Sequence, residues 1–168
     1  YVQPHREVLR WSRELGDLER AQRALEQIAA IHQRSGRLRE HANTLLELGA
    51  LLEEQGAWEL GLRIYQEAAS ILEPTPERRG WVQARMNIAN VLLRRGETQA
   101  AIQEYEEGLA QLEGFPTDQA KHTWNLGLAL KAAGELERAE EHLKQALLCA
   151  LELQREEVDR LRSQVQLV

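Results

Sequence analysis

The side chains able to do acid–base, nucleophilic or metal chemistry in this 168-residue chain are few and scattered. The histidines are His5, His32, His41, His122 and His142. No two form an HxxxH pair, and none has Cys or Asp at ligand spacing. His32 and His41 flank Gly36, so a turn there would bring them near each other, the only metal candidate and a weak one. The single cysteine, Cys149, lies in ALLCALEL, where it reads as a small hydrophobe with no evident base, and one cysteine rules out a disulfide within the chain. No GxSxG motif and no phosphate-cradling glycine loop appears. Carboxylates are abundant and nearly all glutamate, which on helical sequence is a solvated face. The expectation is a non-enzyme with no cofactor and no metal. One charged pattern stands out. Arg6, Arg10 and Arg13 fall at i, i+4 and i+7, a basic stripe suited to an acidic partner segment. The plainer alternative pairs them with Glu7 and Glu14 on a solvated face.

The elements that position these residues are helical. The chain is 43% hydrophobic and 29% charged, with four prolines and 5% aromatics, and Ala, Leu, Glu, Gln and Arg dominate. A net charge of −6 argues against nucleic acid as a partner. No run of 18 apolar residues exists, so no membrane span is expected. Nothing signal-like leads the chain, which begins at Tyr1 and reads as a cytoplasmic piece of a longer or processed polypeptide.

Aligning Gly16, Gly56, Gly96 and Gly134 exposes a repeat with spacings of 40, 40 and 38 residues. Five residues after each glycine the side chain is small (Ala21, Gly61, Ala101, Ala139), and nine after it is large (Leu25, Tyr65, Tyr105, Leu143). Seven before lies Gly49, Ala89 or Gly127, preceded by Leu48, Ile88 or Leu126, and four before lies Leu52, Leu92 or Leu130. Leu48, Gly49 and Leu52 share one helix face, as do Gly61, Tyr65 and Ala68 on the next helix. Gly56 breaks the chain between them. Glycine inside a helix costs roughly 0.5–1 kcal/mol against alanine, so Gly49, Gly61 and Gly127 imply close helix crossings that repay it. The spacing predicts helices at about 3–15, 18–34, 37–55, 57–73, 76–95, 97–113, 117–133 and from 135 onward. Thr75 is expected as an N-cap before Pro76, and Thr117-Asp118 after Pro116 as another.

The order Leu-Gly, Leu, turn glycine, small residue, Tyr or Leu, then Ala resembles the tetratricopeptide repeat (TPR). Residues 42–73, 82–113 and 120–151 match well. Residues 2–34 match in their second helix only, because Leu9 stands where a small residue belongs and Ser12 where a large one does. The long period is similar to that of kinesin light chain, Pins-type scaffolds and the sensor arrays of bacterial STAND-type regulators. The resemblance implies an all-α, right-handed superhelical array of antiparallel helix pairs forming a single domain over 1–168. Its four repeats fall at about 2–36, 37–74, 75–114 and 116–151, with a C-terminal helical extension at 152–168.

The resemblance also implies a concave face lined by the first helix of each pair. By register this face carries the basic stripe of Arg6, Arg10 and Arg13, then Asn43, Leu46, Glu47, Ala50 and Glu54. It continues through Gln83, Met86, Asn87, Asn90 and Arg94 to Lys121, Trp124, Asn125, Leu128 and Lys131. Asn43, Asn87, Asn90 and Asn125 offer donors and acceptors for an extended backbone. Met86 and Trp124 are the apolar anchors of that reading. Trp11, Trp58 and Trp81 are expected to pack between helices. A carboxylate clamp of the chaperone-tail type is disfavoured, since Met86 replaces its lysine.

From Glu135 to Val168 there is no Gly or Pro. Leu147, Leu151, Gln154, Val158, Leu161, Val165 and Val168 follow a heptad-like seam. This is read as a capping helix, with a truncated fifth repeat or a self-associating coiled coil as alternatives. The expected role is protein–protein recognition: a peptide or helical segment of a partner, or of another domain of the parent chain, held in the groove of a sensor or regulatory segment of a larger signalling protein. The alternatives are an oligomerisation or spacer module acting through the C-terminal helix, giving a monomer or weak homodimer, and a small-ligand sensor.

Overall fold

The computed structural model describes the backbone of residues 2–165 and the side chains of residues 2–157. The described residues form eight α-helices and no strand: α1 (Gln3–Glu14), α2 (Leu18–Arg34), α3 (Leu38–Glu54), α4 (Trp58–Leu72), α5 (Arg78–Arg94), α6 (Thr98–Leu109), α7 (Pro116–Ala132) and α8 (Leu136–Val165). The chain divides into two compact units, Tyr1–Val91 and Leu92–Val168.

Local chemistry explains where each helix stops. Gly56 adopts φ +77°, a left-handed conformation that costs a side-chain-bearing residue about 1–2 kcal/mol. There its N–H donates to the Glu53 carbonyl at 2.9 Å and the Ala57 N–H to the Leu52 carbonyl at 2.8 Å, the paired bonds of a Schellman cap. Gly16, Gly96 and Gly134 repeat the conformation at the same register position. Helix α2 starts on Asp17, whose carboxylate accepts from the Arg20 N–H at 3.0 Å.

Three expected boundaries shift. Helix α5 begins at Arg78, because the Thr75 hydroxyl is drawn back onto the Leu72 carbonyl at 2.7 Å while accepting from the Glu77 N–H; Thr75 closes α4 rather than capping α5. Helix α7 begins at Pro116, with Phe115 as N-cap, so Thr117 and Asp118 lie in its first turn. Helix α6 ends at Leu109. The chain beyond it turns through Gly114 at φ +83°, and Leu112 is buried within that connection.

The first unit is held by a core in which successive repeats meet. Leu48 and Leu51 of α3 join Leu9, Leu25 and Ile28 of α1 and α2 in one buried cluster. Leu9 and Ser12 are both buried, so the first repeat keeps the register of the others with the large and small residues exchanged. Small residues set the crossing of α3 and α4. A Cβ on Gly49 would stand 2.7 Å from Cδ1 of Tyr65, and one on Gly61 would stand 3.2 Å from the Gly49 carbonyl oxygen. In the second unit a Cβ on Gly127 would stand 2.8 Å from Cγ of Leu143. At Gly49 and Gly127 a Cβ would stand closer than real Cβ contacts come, and at Gly61 it would press on backbone, so close crossing is the compensation that helical glycine requires.

Polar groups enter the core at matched positions. His32 occupies the place of Leu72 and Leu112, and Thr44 the place of Ala84 and His122. The Thr44 hydroxyl donates to the Glu40 carbonyl at 2.8 Å, so it accepts from His32 Nδ1 at 3.1 Å, which fixes the proton on that nitrogen. His41 is buried as well, with its Nε2 4.0 Å from Glu67.

Candidate functional site

In the first unit, the first helices of successive pairs leave a cleft of about 600 Å³. Its lining residues are Arg13 of α1, Leu46, Glu47, Ala50 and Glu54 of α3, Gln83 and Asn87 of α5, and Leu18 at the start of α2. All but Leu18 lie on the face predicted from register. Leu18 escaped because it belongs to a second helix. Its position two residues past the turn glycine brings it to the mouth of the cleft.

Apolar and polar side chains share the lining. Leu46, Ala50 and Leu18 supply the apolar part. Of the polar part, Glu47 is already engaged, since Arg6 Nη1 lies 3.2 Å from both of its carboxylate oxygens. Gln83 Nε2 donates to Asn87 Oδ1 at 3.0 Å. Two amides so paired keep the carbonyl of Gln83 and the NH2 of Asn87 for a ligand. Arg13 and Glu54 bring opposite charges to the same opening.

The other predicted residues part from this cleft. Arg6 serves Glu47 rather than solvent, and Arg10 lies 3.9 Å from Glu14 on an exposed surface. The three arginines of α1 thus divide among separate tasks, and only Arg13 faces the cleft. Asn43 is exposed on α3, with its Oδ1 3.8 Å from where a Cβ on Gly80 would stand. Asn90 is half-buried and Arg94 exposed. Met86 is only 5% exposed, so it belongs to the core and cannot serve as a groove anchor. Leu46, its register counterpart, takes the apolar role.

In the second unit Lys121 is exposed and Asn125 half-buried. Trp124 is 45% exposed and lines a different cleft, of about 390 Å³, between α7 and α8. Lys131, Leu136, Leu143 and Leu147 complete most of that lining, which is dominated by carbon. Leu147 and Leu151 of the expected capping seam are themselves exposed. Val158, Leu161, Val165 and Val168 fall outside the residues whose side chains are described. Trp81 is half-buried with the Arg85 guanidinium 4.9 Å from its ring centre, whereas Trp11 is exposed rather than packed between helices.

The histidines are positioned by packing. His122 is buried edge-on against Tyr105, with ring centres 5.5 Å apart. Burial pushes its pKa down to about 4, against the opposing pull of a hydrogen bond to the Tyr105 backbone and of Asp118. The same burial raises the Tyr105 phenol to about 12. Among the described residues no group of three or more His, Cys, Asp or Glu side chains could hold a metal ion. No helix among them is long and apolar enough to cross a membrane.

An all-α array of helix pairs, with glycine-mediated crossings inside pairs and an open cleft on the first helices, defines a repeat scaffold of the protein–protein interaction type. Two tetratricopeptide repeat models match the chain, at residues 40–114 and 125–153, together well over half its length. The chain belongs to the tetratricopeptide repeat family. It is 36% identical over 86 residues to Tonsoku-like protein of Bos taurus, a match covering 51% of this chain and 6% of that protein. Among solved structures it is similar to BtubC (BKLC) from P. vanneervenii, with TM-score 0.79 and 17% identity over 91% of this chain and 64% of that one. It is also similar to a putative kinesin light chain of Podosopora anserina with nearly identical TPR-like repeats, with TM-score 0.72 and 18% identity over 90% of this chain and 75% of that one. At such identities the structural likeness concerns the fold alone.

Proposed function

We propose that this chain is a recognition module that holds a segment of a protein partner, or of another domain of its parent chain, in the cleft formed by α1, α3 and α5. The observation that carries the reading is the Gln83–Asn87 pair, which lines the cleft with Leu46, Ala50 and Leu18 and keeps one carbonyl and one amide for a further partner. A peptide group needs one donor and one acceptor, and that pair supplies both beside a place for an aliphatic side chain. Of the lining charges, Glu54 selects a basic residue and Arg13 an acidic one. The amide groups of Asn43, Asn90 and Asn125 extend the polar surface on their own helices. No catalytic step is assigned to the chain, and neither nucleic acid nor a membrane is its partner. The reading is that of a regulatory or sensor segment of a larger cytoplasmic signalling protein.

The test is capture from a lysate of the source cell. The baits are the wild-type chain, a variant carrying Glu54→Arg, Gln83→Ala and Asn87→Ala, and Trp124→Ala, each with unchanged circular dichroism. A partner held by the wild type and by Trp124→Ala but lost from the triple variant supports the cleft. A partner held equally by all three moves recognition to another surface.

A further inference from the structure

The ionised side chains lining the α1/α3/α5 cleft are Arg13, Glu47 and Glu54. Two of them are acidic, yet Glu47 does not present a free charge. Arg6 Nη1 lies 3.2 Å from each of its carboxylate oxygens, a contact between helices of successive pairs. The two side chains are 39% and 35% exposed, an ion pair open enough to add little to stability. The repeat register shows what the pair replaces. Glu47 stands nine residues before its turn glycine, the position of Asn87 and Asn125 in the following repeats. Arg6 stands ten before its own, where the later repeats carry Leu46, Met86 and Trp124. A carboxylate at an otherwise amide position is thus matched by an arginine at an otherwise apolar one.

We infer that, given the recognition role proposed for this cleft, Arg6 is a specificity-determining residue: by neutralising Glu47 it leaves Arg13 and Glu54 as the charges that read the partner, so the cleft selects a peptide in which one acidic and one basic residue accompany an aliphatic side chain. A carboxylate bound by a guanidinium carries no net charge and keeps both N–H donors and oxygen lone pairs. The Arg6–Glu47 pair therefore offers, between α1 and α3, what an asparagine offers at the same position of α5 and α7. With Arg6 in place, the charges of Arg6, Arg13, Glu47 and Glu54 cancel. Without it the lining keeps an excess negative charge. Glu47 is only 35% exposed, so that charge is screened less than on open surface and favours a second basic residue on the partner. Without Glu47 the excess is positive, and the preference runs toward acidic peptides.

Panning a phage-displayed library of random dodecapeptides tests this against four immobilised proteins: wild type, Arg6→Gln, Glu47→Gln and the double variant. All four should share one circular dichroism spectrum, because the pair is partly exposed and joins helices that are also held by the buried cluster of Leu9, Leu48 and Leu51. A peptide is counted as cleft-bound when Gln83→Ala with Asn87→Ala, introduced in the same background, releases it. Cleft-bound peptides of the wild type should be near neutral, with an acidic and a basic residue beside an aliphatic one. Arg6→Gln should shift their mean net charge toward positive, Glu47→Gln should shift it toward negative, and the double variant should return it to the wild-type mean. Any other pattern among cleft-bound peptides overturns the proposal. A pair that only ties α1 to α3 would give the same loss of binding in both single variants, without opposite shifts. If the amide substitutions release no peptide from any of the four proteins, the cleft reading itself fails and the role of Arg6 falls with it.

Discussion

The Tyr65 ring lies directly on the backbone of Gly49, and its hydroxyl donates to Glu53 Oε1 at 2.6 Å, so one side chain packs against α3 and ties to it one turn further on. Gly49→Ala should therefore destabilise the chain despite alanine's better helix propensity. Forcing a Cβ against Tyr65 should cost about 1–3 kcal/mol, read as a lower denaturant midpoint at unchanged slope. Adding Tyr65→Leu, the residue found at the equivalent positions 25 and 143, should recover part of the loss.

The His32–Thr44 pair should show the asymmetry of buried hydrogen bonds. Thr44→Ala alone strands the His32 Nδ1–H and should cost about 1–3 kcal/mol. His32→Leu with Thr44→Ala recreates the Leu72 and Ala84 combination of the next repeat, and the double variant should be more stable than Thr44→Ala. A complete denaturation cycle of the four proteins measures the coupling.

Acid should weaken the second unit through His122. Its folded pKa of about 4 lies below the ordinary value of 6.5, so the unfolded chain binds the proton more readily. The stability this neutral histidine contributes is fully present above pH 6.5 and is lost progressively as pH falls toward 4. Between about pH 8 and about pH 5 the loss from this residue alone is about 2 kcal/mol. Thermal melts of wild type and His122→Gln across that range should converge in acid, the variant having the flatter profile.

Much of this architecture was legible in the residues. The period of the turn glycines placed eight helices, because a left-handed glycine between apolar faces has one structural meaning. The same register picked out Arg13, Leu46, Glu47, Ala50, Glu54, Gln83 and Asn87, which converge on one cleft. Depth was not legible. Leu46, Met86 and Trp124 share a register position, yet they are half-buried, buried and exposed in turn. Periodicity fixes which way a residue points, while the neighbouring side chains decide how far it is covered. Trp11 shows the converse: an aromatic on a core-facing position lies open where no helix of the described chain covers it. The start of α5 was missed for a local reason, since the Thr75 hydroxyl has a carbonyl acceptor at hand in the preceding helix.

Removing the amide pair should separate binding from folding. Gln83→Ala with Asn87→Ala alters only half-buried polar side chains and should change stability by less than about 0.5 kcal/mol. A captured partner should nevertheless dissociate faster, because a donor and an acceptor for its backbone are lost. Surface-immobilised partner and the two proteins in solution are sufficient to read this.

The central claim is that recognition occurs on the first-helix cleft, and site-specific photo-crosslinking tests it most directly. A photoreactive amino acid is placed at Ala50, exposed within the cleft, and in a second protein at Glu67, exposed on α4. After irradiation in source-cell lysate, a discrete adduct formed from position 50 and absent from position 67 is the predicted result. An adduct formed from position 67 and absent from position 50 would contradict the account and place the partner on the second helices.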